Sequence, residues 1–287
     1  MLDAKTAALA VGLCLSTLTH PLSAQIDYRN LDDERPVVTE DAYPLERHAF
    51  ELLAPYRFER ERGGEQVHLF PLEVEYGVFD NTQLGLAAPI AVVDVGQGAD
   101  ADWGLAGLRA FALYNFNTES PSLPAFSLRG DVGLPVGALA GDNARFSLKA
   151  IATRSWGLTR VHLNAVRSFG SEDNLGAADV APRWGYSLAV DRTLFRQSAQ
   201  LVGELAVDRE VRDAPTAVTV SAGVRYQWTA TTVVDAGLSR RLSSRAGPDV
   251  AVTLGLSHAF GLSGISGVSP SSVNIVSRST SPCLMSR

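Results

Sequence analysis

From residue 47 to residue 260 the chain alternates apolar and polar side chains with a period of two, the mark of strands with one apolar face. In the first run Phe50, Leu52, Ala54, Tyr56 and Phe58 alternate with Glu51, Leu53, Pro55, Arg57 and Glu59. In the second, Phe70, Leu72, Val74, Tyr76 and Val78 alternate with Pro71, Glu73, Glu75 and Gly77. Ten further runs begin near residues 83, 108, 126, 145, 160, 184, 200, 218, 234 and 250, and away from strand ends their charges lie on one side. The pattern predicts an all-β fold, an antiparallel transmembrane β-barrel of about 12 strands.

A soluble sandwich also alternates, so the content of the polar face decides. In a sandwich that face meets water and is rich in Lys, Thr and Glu. Here it carries Arg, Asp and Glu mixed with Gly, Ser and Ala, the content of a crowded lumen in which charges of both signs pair. A lone Arg or Lys carried into hydrocarbon costs about 2–4 kcal/mol at the midplane. The apolar faces accordingly hold charge only near strand ends, as at Arg240 and His258. The outward aromatics Phe58, Tyr76, Tyr114, Phe116, Trp184, Tyr186, Tyr226, Trp228 and Phe260 also gather near strand ends, as interface girdles do.

Connection lengths orient this barrel. With a periplasmic N-terminus, the outer loops are 61–66, 93–103, 137–143, 168–183, 209–214 and 242–248. The inner turns are 79–81, 117–123, 155–158, 195–198 and 229–231, shorter on average, as the architecture requires. Ahead of the barrel, Lys5, the apolar run from Ala7 to Leu18 and the small-x-small Leu22-Ser23-Ala24 predict a signal peptide over 1–24. Residues 25–46 read as a periplasmic lead-in, 47–260 as the barrel and 261–287 as a flexible tail rich in Ser, Gly and Pro. These segments place the protein in the outer membrane of a Gram-negative bacterium, with outer-membrane lipid and lipopolysaccharide around it. Phe260, closing the last strand, is similar to the signal read by the barrel assembly machinery, a second expected partner.

The 46% hydrophobic content says nothing about the membrane, because a barrel in lipid hides a polar interior. The formal net charge of −6 gives no reason to expect a nucleic-acid partner. With Cys14 in the predicted signal, Cys283 has no internal partner for a disulfide. Only Lys5 and Lys149 are lysines, so the basic charge is nearly all arginine, the cation suited to confined pairing with carboxylates.

Several short motifs carry a family resemblance: Arg35-Pro36-Val37-Val38-Thr39-Glu40-Asp41 before the first strand, Asp102-Trp103-Gly104-Leu105-Ala106-Gly107-Leu108-Arg109, Leu134-Pro135-Val136-Gly137 and His162-Leu163-Asn164. Over residues 35–260 the chain resembles the bacterial outer-membrane transporter family of the MetA pathway of phenol degradation. Val136 stands where that family more often has threonine. The resemblance implies a modest channel or transporter-like barrel, with aromatic or hydrophobic compounds among the candidate solutes.

By phase the lumen is lined by Glu51, Arg57, Glu73, Glu75, Arg109, Arg129, Asp131, Arg145, Lys149, Arg160, His162, Asn164, Asp191, Glu204, Arg225 and Asp235. The acids crowd the first two strands and the arginines strands four to seven. At similar depths they would form an acidic wall beside a basic one and impose a transverse field on passing solutes. The bland reading is that these groups pair with one another and rigidify the lumen. Three functions stay open: passage or binding of small solutes, a non-conducting structural or surface-interaction barrel, and an outer-membrane lipid hydrolase. The hydrolase needs a Ser–His pair held by a third group, and no histidine clusters with serines by register. No catalytic residues, metal-ligand spacing or cofactor motif is legible, so the chain does not read as an enzyme.

Overall fold

The computed structural model describes residues 27, 29–61, 63–96, 100–178, 181–194, 198–243 and 247–261. The predicted signal peptide and the tail beyond residue 261 lie outside the described residues. Fourteen strand segments run in chain order: β1 Phe50–Leu53, β2 Tyr56–Arg60, β3 Gln66–Phe79, β4 Thr82–Asp94, β5 Asp102–Leu105, β6 Leu108–Asn117 and β7 Ala125–Leu134. They continue with β8 Arg145–Trp156, β9 Thr159–Phe169, β10 Trp184–Leu194, β11 Ala199–Arg209, β12 Ala217–Thr229, β13 Thr232–Ser243 and β14 Val250–Phe260. β1 and β2 are two halves of one strand, as are β5 and β6, so the wall is a closed antiparallel barrel of twelve strands. It closes where β14 pairs with β1 and β2, from Phe50 opposite Phe260 to Arg60 opposite Val250.

The two interruptions have a covalent cause. Pro71 on β3 stands opposite Pro89 on β4, and Pro55 follows the end of β1. A proline donates no backbone hydrogen bond, so ladders break beside it. On the far side of Pro89, Ala106 and Gly107 separate β5 from β6, and the Ala106 amide still reaches the Pro89 carbonyl at 2.8 Å. The predicted outer loop 93–103 is accordingly shorter than expected, because β5 begins at Asp102.

The facing pattern is that of a membrane barrel. Leu72, Val74, Leu84, Leu86, Leu163, Leu188, Leu205, Leu238 and Leu254 are exposed on the outer wall. Inside, Arg129 and Arg225 are 1% exposed and His162 is fully buried. A belt this broad and apolar is unstable in water and at home in lipid. Aromatics bracket it: Tyr114, Phe116, Trp156 and Trp228 at the end with short turns, and Trp103, Phe146, Phe169 and Tyr186 at the end with long loops. Trp103 and Trp156, left in a loop and a turn by the sequence pattern, are strand residues of these girdles.

The N-terminal segment differs from its expectation. Residues 29–45, read as a lead-in outside the wall, fold back inside the barrel as a hairpin. Leu31, Val37, Thr39, Glu40, Asp41, Ala42 and Leu45 are buried. Both legs sit at the short-turn end, where the Leu45 amide donates to Gln83 Oε1 at 2.8 Å and Gln200 donates to the Arg29 carbonyl at 3.4 Å. Between them the chain climbs to mid-barrel, and the turn contains a cis Arg35–Pro36 bond.

Candidate functional site: a hairpin-plugged lumen with a vestibule above it

Strands that place polar side chains inward leave a lumen of twelve strands only partly filled. The hairpin fills its lower half, and small residues make room for it. Gly223 and Gly237 face each other on β12 and β13. A Cβ at Gly223 would lie 2.6 Å from Pro36 Cβ, and one at Gly237 would lie 2.0 Å from the Pro36 carbonyl oxygen. Two apolar clusters grip the legs: Ala42 and Tyr43 against Phe111, Leu113, Ala125 and Ile151, and Leu31 with Val37 against Ala189 and Val202.

The basic wall binds the hairpin rather than the acidic wall. Arg129 lies 2.9 Å from Glu40, 2.9 Å from Asp131 and 3.6 Å from Asp33, with its guanidinium 3.5 Å from the centre of the Phe111 ring. Lys149 pairs with Asp33 and, at 3.1 Å, with Glu40. Arg160 joins Asp41 at 3.1 Å and Asp191 at 2.9 Å, and it donates to the Arg29 carbonyl. Arg225 pairs with Asp32 at 2.9 Å, and the hairpin's own Arg35 reaches Asp32 and, at 3.5 Å, Asp235. Arg109 joins the early acidic strands to the hairpin, with Glu73 at 3.3 Å and Glu34 at 3.5 Å. Asp27 to Leu45 carries six carboxylates against two guanidinium groups, which is why it suits an arginine-rich wall.

Neutral contacts fix the register. Asn164 donates to the Glu40 carbonyl at 2.9 Å and accepts from the Glu40 amide at 2.8 Å, imitating a strand neighbour. Glu204 accepts from both the amide and the hydroxyl of Thr39, each at 2.6 Å. The Ala42 amide donates to Thr153 Oγ1 at 3.0 Å, and the same hydroxyl shares a hydrogen bond with His162 Nδ1 at 3.0 Å. His162 Nε2 faces Asp191 at 2.7 Å.

Of the residues expected to line the lumen, all are buried except Arg57, Arg109 and Asp131, which are half-buried, and most are engaged with other protein groups. Glu51 and Glu75 sit opposite each other on β1 and β3, and Arg57 pairs with Glu59. The expected basic wall beside an acidic one has a third party, the hairpin, whose carboxylates take most of its cations. The residues the pattern missed are Asp32, Asp33, Glu34, Arg35, Thr39, Glu40 and Asp41.

Above the hairpin tip remains a cavity of 380 Å³. Asp33, Pro36, Val37 and Val38 form its floor, and Leu175, Ala177, Ala181 and Pro182 lie in its roof. The roof is held by backbone: the Ala177 amide donates to the Leu139 carbonyl at 2.9 Å, and Leu139, Ala177 and Ala178 pack over Leu69, Ala91 and Ala106. Arg145 lines the same space, is 8% exposed, and among the described residues meets the Ala181 carbonyl at 3.4 Å. Among the described residues it has no carboxylate partner, and its Nε is buried without a hydrogen bond. Among the described residues no group of His, Cys, Asp and Glu is arranged to hold a metal ion.

No protein-family model matches the chain, and no curated protein matches it in sequence. Among solved structures, an outer-membrane channel from Pseudomonas putida F1 is similar, with a TM-score of 0.61 at 15% identity over 80% of this chain and 100% of that one. The NanC porin, at TM-score 0.48 and 7% identity, covers 74% of this chain with 100% of its own. The KdgM porin in complex with disordered oligogalacturonate, at 0.47 and 14%, covers 72% with 99% of its own. At such identities the likeness to the Pseudomonas channel establishes the barrel fold.

Proposed function

We propose that this chain is an outer-membrane channel that admits a small amphiphilic acid from the long-loop side and passes it when the N-terminal hairpin moves. The observation that carries the reading is the vestibule, in which apolar Val37, Val38, Leu175, Ala177 and Ala181 share the lining with charged groups of both signs and with a buried Arg145 that, among the described residues, has no carboxylate partner. A buried cation without a counter-charge is costly, and an anionic solute with an apolar body offsets that cost while filling the space. The resemblance to the transporter family of the MetA pathway of phenol degradation supports an aromatic or hydrophobic body. The short turns then face the periplasm and the long loops the exterior, the usual arrangement of such barrels.

The hairpin is tied by ion pairs and side-chain hydrogen bonds rather than by strand pairing, so it can leave without opening the wall. Deleting residues 27–45 tests this in planar bilayers. The full chain should show small or intermittent conductance, and the deletion a larger, steady one. Removing the acid-rich hairpin while Arg109, Arg129, Lys149, Arg160 and Arg225 remain should also shift the reversal potential toward anions. Equal traces from both proteins would instead favour a non-conducting barrel with a structural or surface-interaction role.

A further inference from the structure

The outer wall holds a second built feature, unconnected with the lumen. Arg167 points outward near the long-loop end of β9, exposed and without an ion-pair or hydrogen-bond partner among the described residues. Across the neighbouring strands it stands opposite Leu148 on β8 and Trp184 on β10, and Trp184 stands opposite Arg209 on β11. Arg209 is already placed, 5.8 Å from the Trp184 ring centre and 3.2 Å from Thr216 Oγ1. The row below Arg167 reads Leu128, Ala150, Ala165, Tyr186. Two alanines side by side between a leucine and a tyrosine leave a trough, and these residues line an open groove on the lipid face headed by Arg167. With strands about 4.8 Å apart, the floor is roughly one hydrocarbon chain wide.

Depth identifies the anion. Trp184 and Arg192 are the outward residues near the two ends of β10, eight positions apart, which spans about 26 Å along the strand. With strands tilted by about 35–45°, that is about 20 Å across the membrane, most of the roughly 25 Å apolar band of such barrels, so Arg167, paired with Trp184, lies near an interface. The contrast with the other end sharpens the point. There the outward Arg154 donates to the carbonyls of Pro121 and Leu123, at 2.7 and 2.9 Å, and Arg192 donates to Thr159 Oγ1 at 3.0 Å. Arg167 has no such acceptor among the described residues and stands at the head of the apolar trough.

We infer that Arg167 and the Ala150–Ala165 trough bind a phosphorylated, acylated glycolipid of the outer leaflet, its phosphate on Arg167 and one acyl chain in the trough. The leaflet assignment rests on the orientation proposed above, whereas the binding chemistry does not. Native mass spectrometry of the full chain in detergent, titrated with diphosphoryl lipid A, tests the site. One lipid per barrel should persist on the unaltered protein. Arg167→Ala, which leaves no cavity, and Ala165→Leu, which fills the trough, should each weaken retention by about tenfold or more. Equal retention by all three proteins overturns the proposal, as does equal binding of a zwitterionic phospholipid or complete displacement by millimolar inorganic phosphate. Orientation is read separately, by labelling a Ser171→Cys, Cys283→Ser variant with an impermeant thiol reagent on intact cells. Lipid retention without labelling would overturn the outer-leaflet assignment and keep the site.

Discussion

Arg129 Nη1 sits 2.9 Å from Glu40 Oε1, joining a wall strand to the plug inside it through two almost fully buried charges. Neither has water to fall back on, so each depends on the other and on the groups around them. Arg129 also serves Asp131 and caps the Phe111 ring, while Glu40 also accepts from Lys149.

Arg129→Ala should therefore cost about 3–5 kcal/mol, the usual range when one partner of a buried pair is removed. Among the described residues it leaves Asp131 with the Ser147 hydroxyl at 3.4 Å, Glu40 with Lys149, and Asp33 with Lys149 and Arg109. The temperature at which the folded barrel converts to the slow-migrating form on a denaturing gel should fall clearly. Glu40→Gln keeps the shape and most hydrogen bonds and should cost less. An unchanged transition for Arg129→Ala would mean that the pair adds nothing.

Gly237→Val separates the plug from the wall. The added Cβ would occupy the position of the Pro36 carbonyl, whose oxygen is 2.0 Å away, and backbone there cannot yield by a rotamer change. On a lumen-facing position of β13 the valine itself suits a strand. The expected outcome is an intact barrel with the hairpin displaced, read as a conductance rising toward that of the 27–45 deletion. If the conductance stayed at the level of the unaltered chain, the hairpin would not be seated on this glycine pair.

The strands were legible because lipid and lumen impose opposite chemistry on alternate residues, and a period of two survives any local irregularity. Glu51, Arg109, Arg129, Arg160 and Asp235 face inward for that reason alone. The hairpin was not legible, because it has no period: its partners are distributed over strands that lie far apart in the chain, as Asp33 with Lys149 and Asp32 with Arg225 show. Two signals did hint at it. The acids of residues 27–41 complement the arginines of strands four to seven, and Gly223 and Gly237, paired on neighbouring strands, leave a gap in the interior wall. The breaks beside Pro55 and Pro89 were likewise hidden, since proline interrupts hydrogen bonding without disturbing the alternation of faces.

A reversible lock would show that hairpin movement itself opens the lumen. Thr39 Oγ1 and Ser187 Oγ are 2.7 Å apart, within the reach of a disulfide if both become cysteine. In a Cys283→Ser background, Thr39→Cys with Ser187→Cys should abolish conductance when oxidised and restore it with a reductant. The single-cysteine variants should ignore the redox change. A locked protein that conducts as well as the reduced one would remove the hairpin from the gating scheme.

The roof of the vestibule answers to pH through Glu172. Its Oε2 accepts the Arg212 amide at 2.7 Å and its other oxygen pairs with Arg183, so it ties the loop before β10 to the loop after β11. The Arg212 amide first, and then Arg183, hold this carboxyl below the usual glutamate value. A group whose folded pKa is depressed contributes stability above its unfolded pKa and loses it as pH falls through the folded one. The link should thus be complete at neutral pH, survive passage through about pH 4.3, where an ordinary glutamate is half protonated, and weaken only below it. Spin labels at Asp173→Cys and Asp213→Cys, again with Cys283→Ser, report the loop separation directly. A constant distance from pH 7 to about 4 with lengthening below is the expected curve, and Glu172→Gln should flatten it. Lengthening already between pH 6 and 5 would assign the closure to some other group.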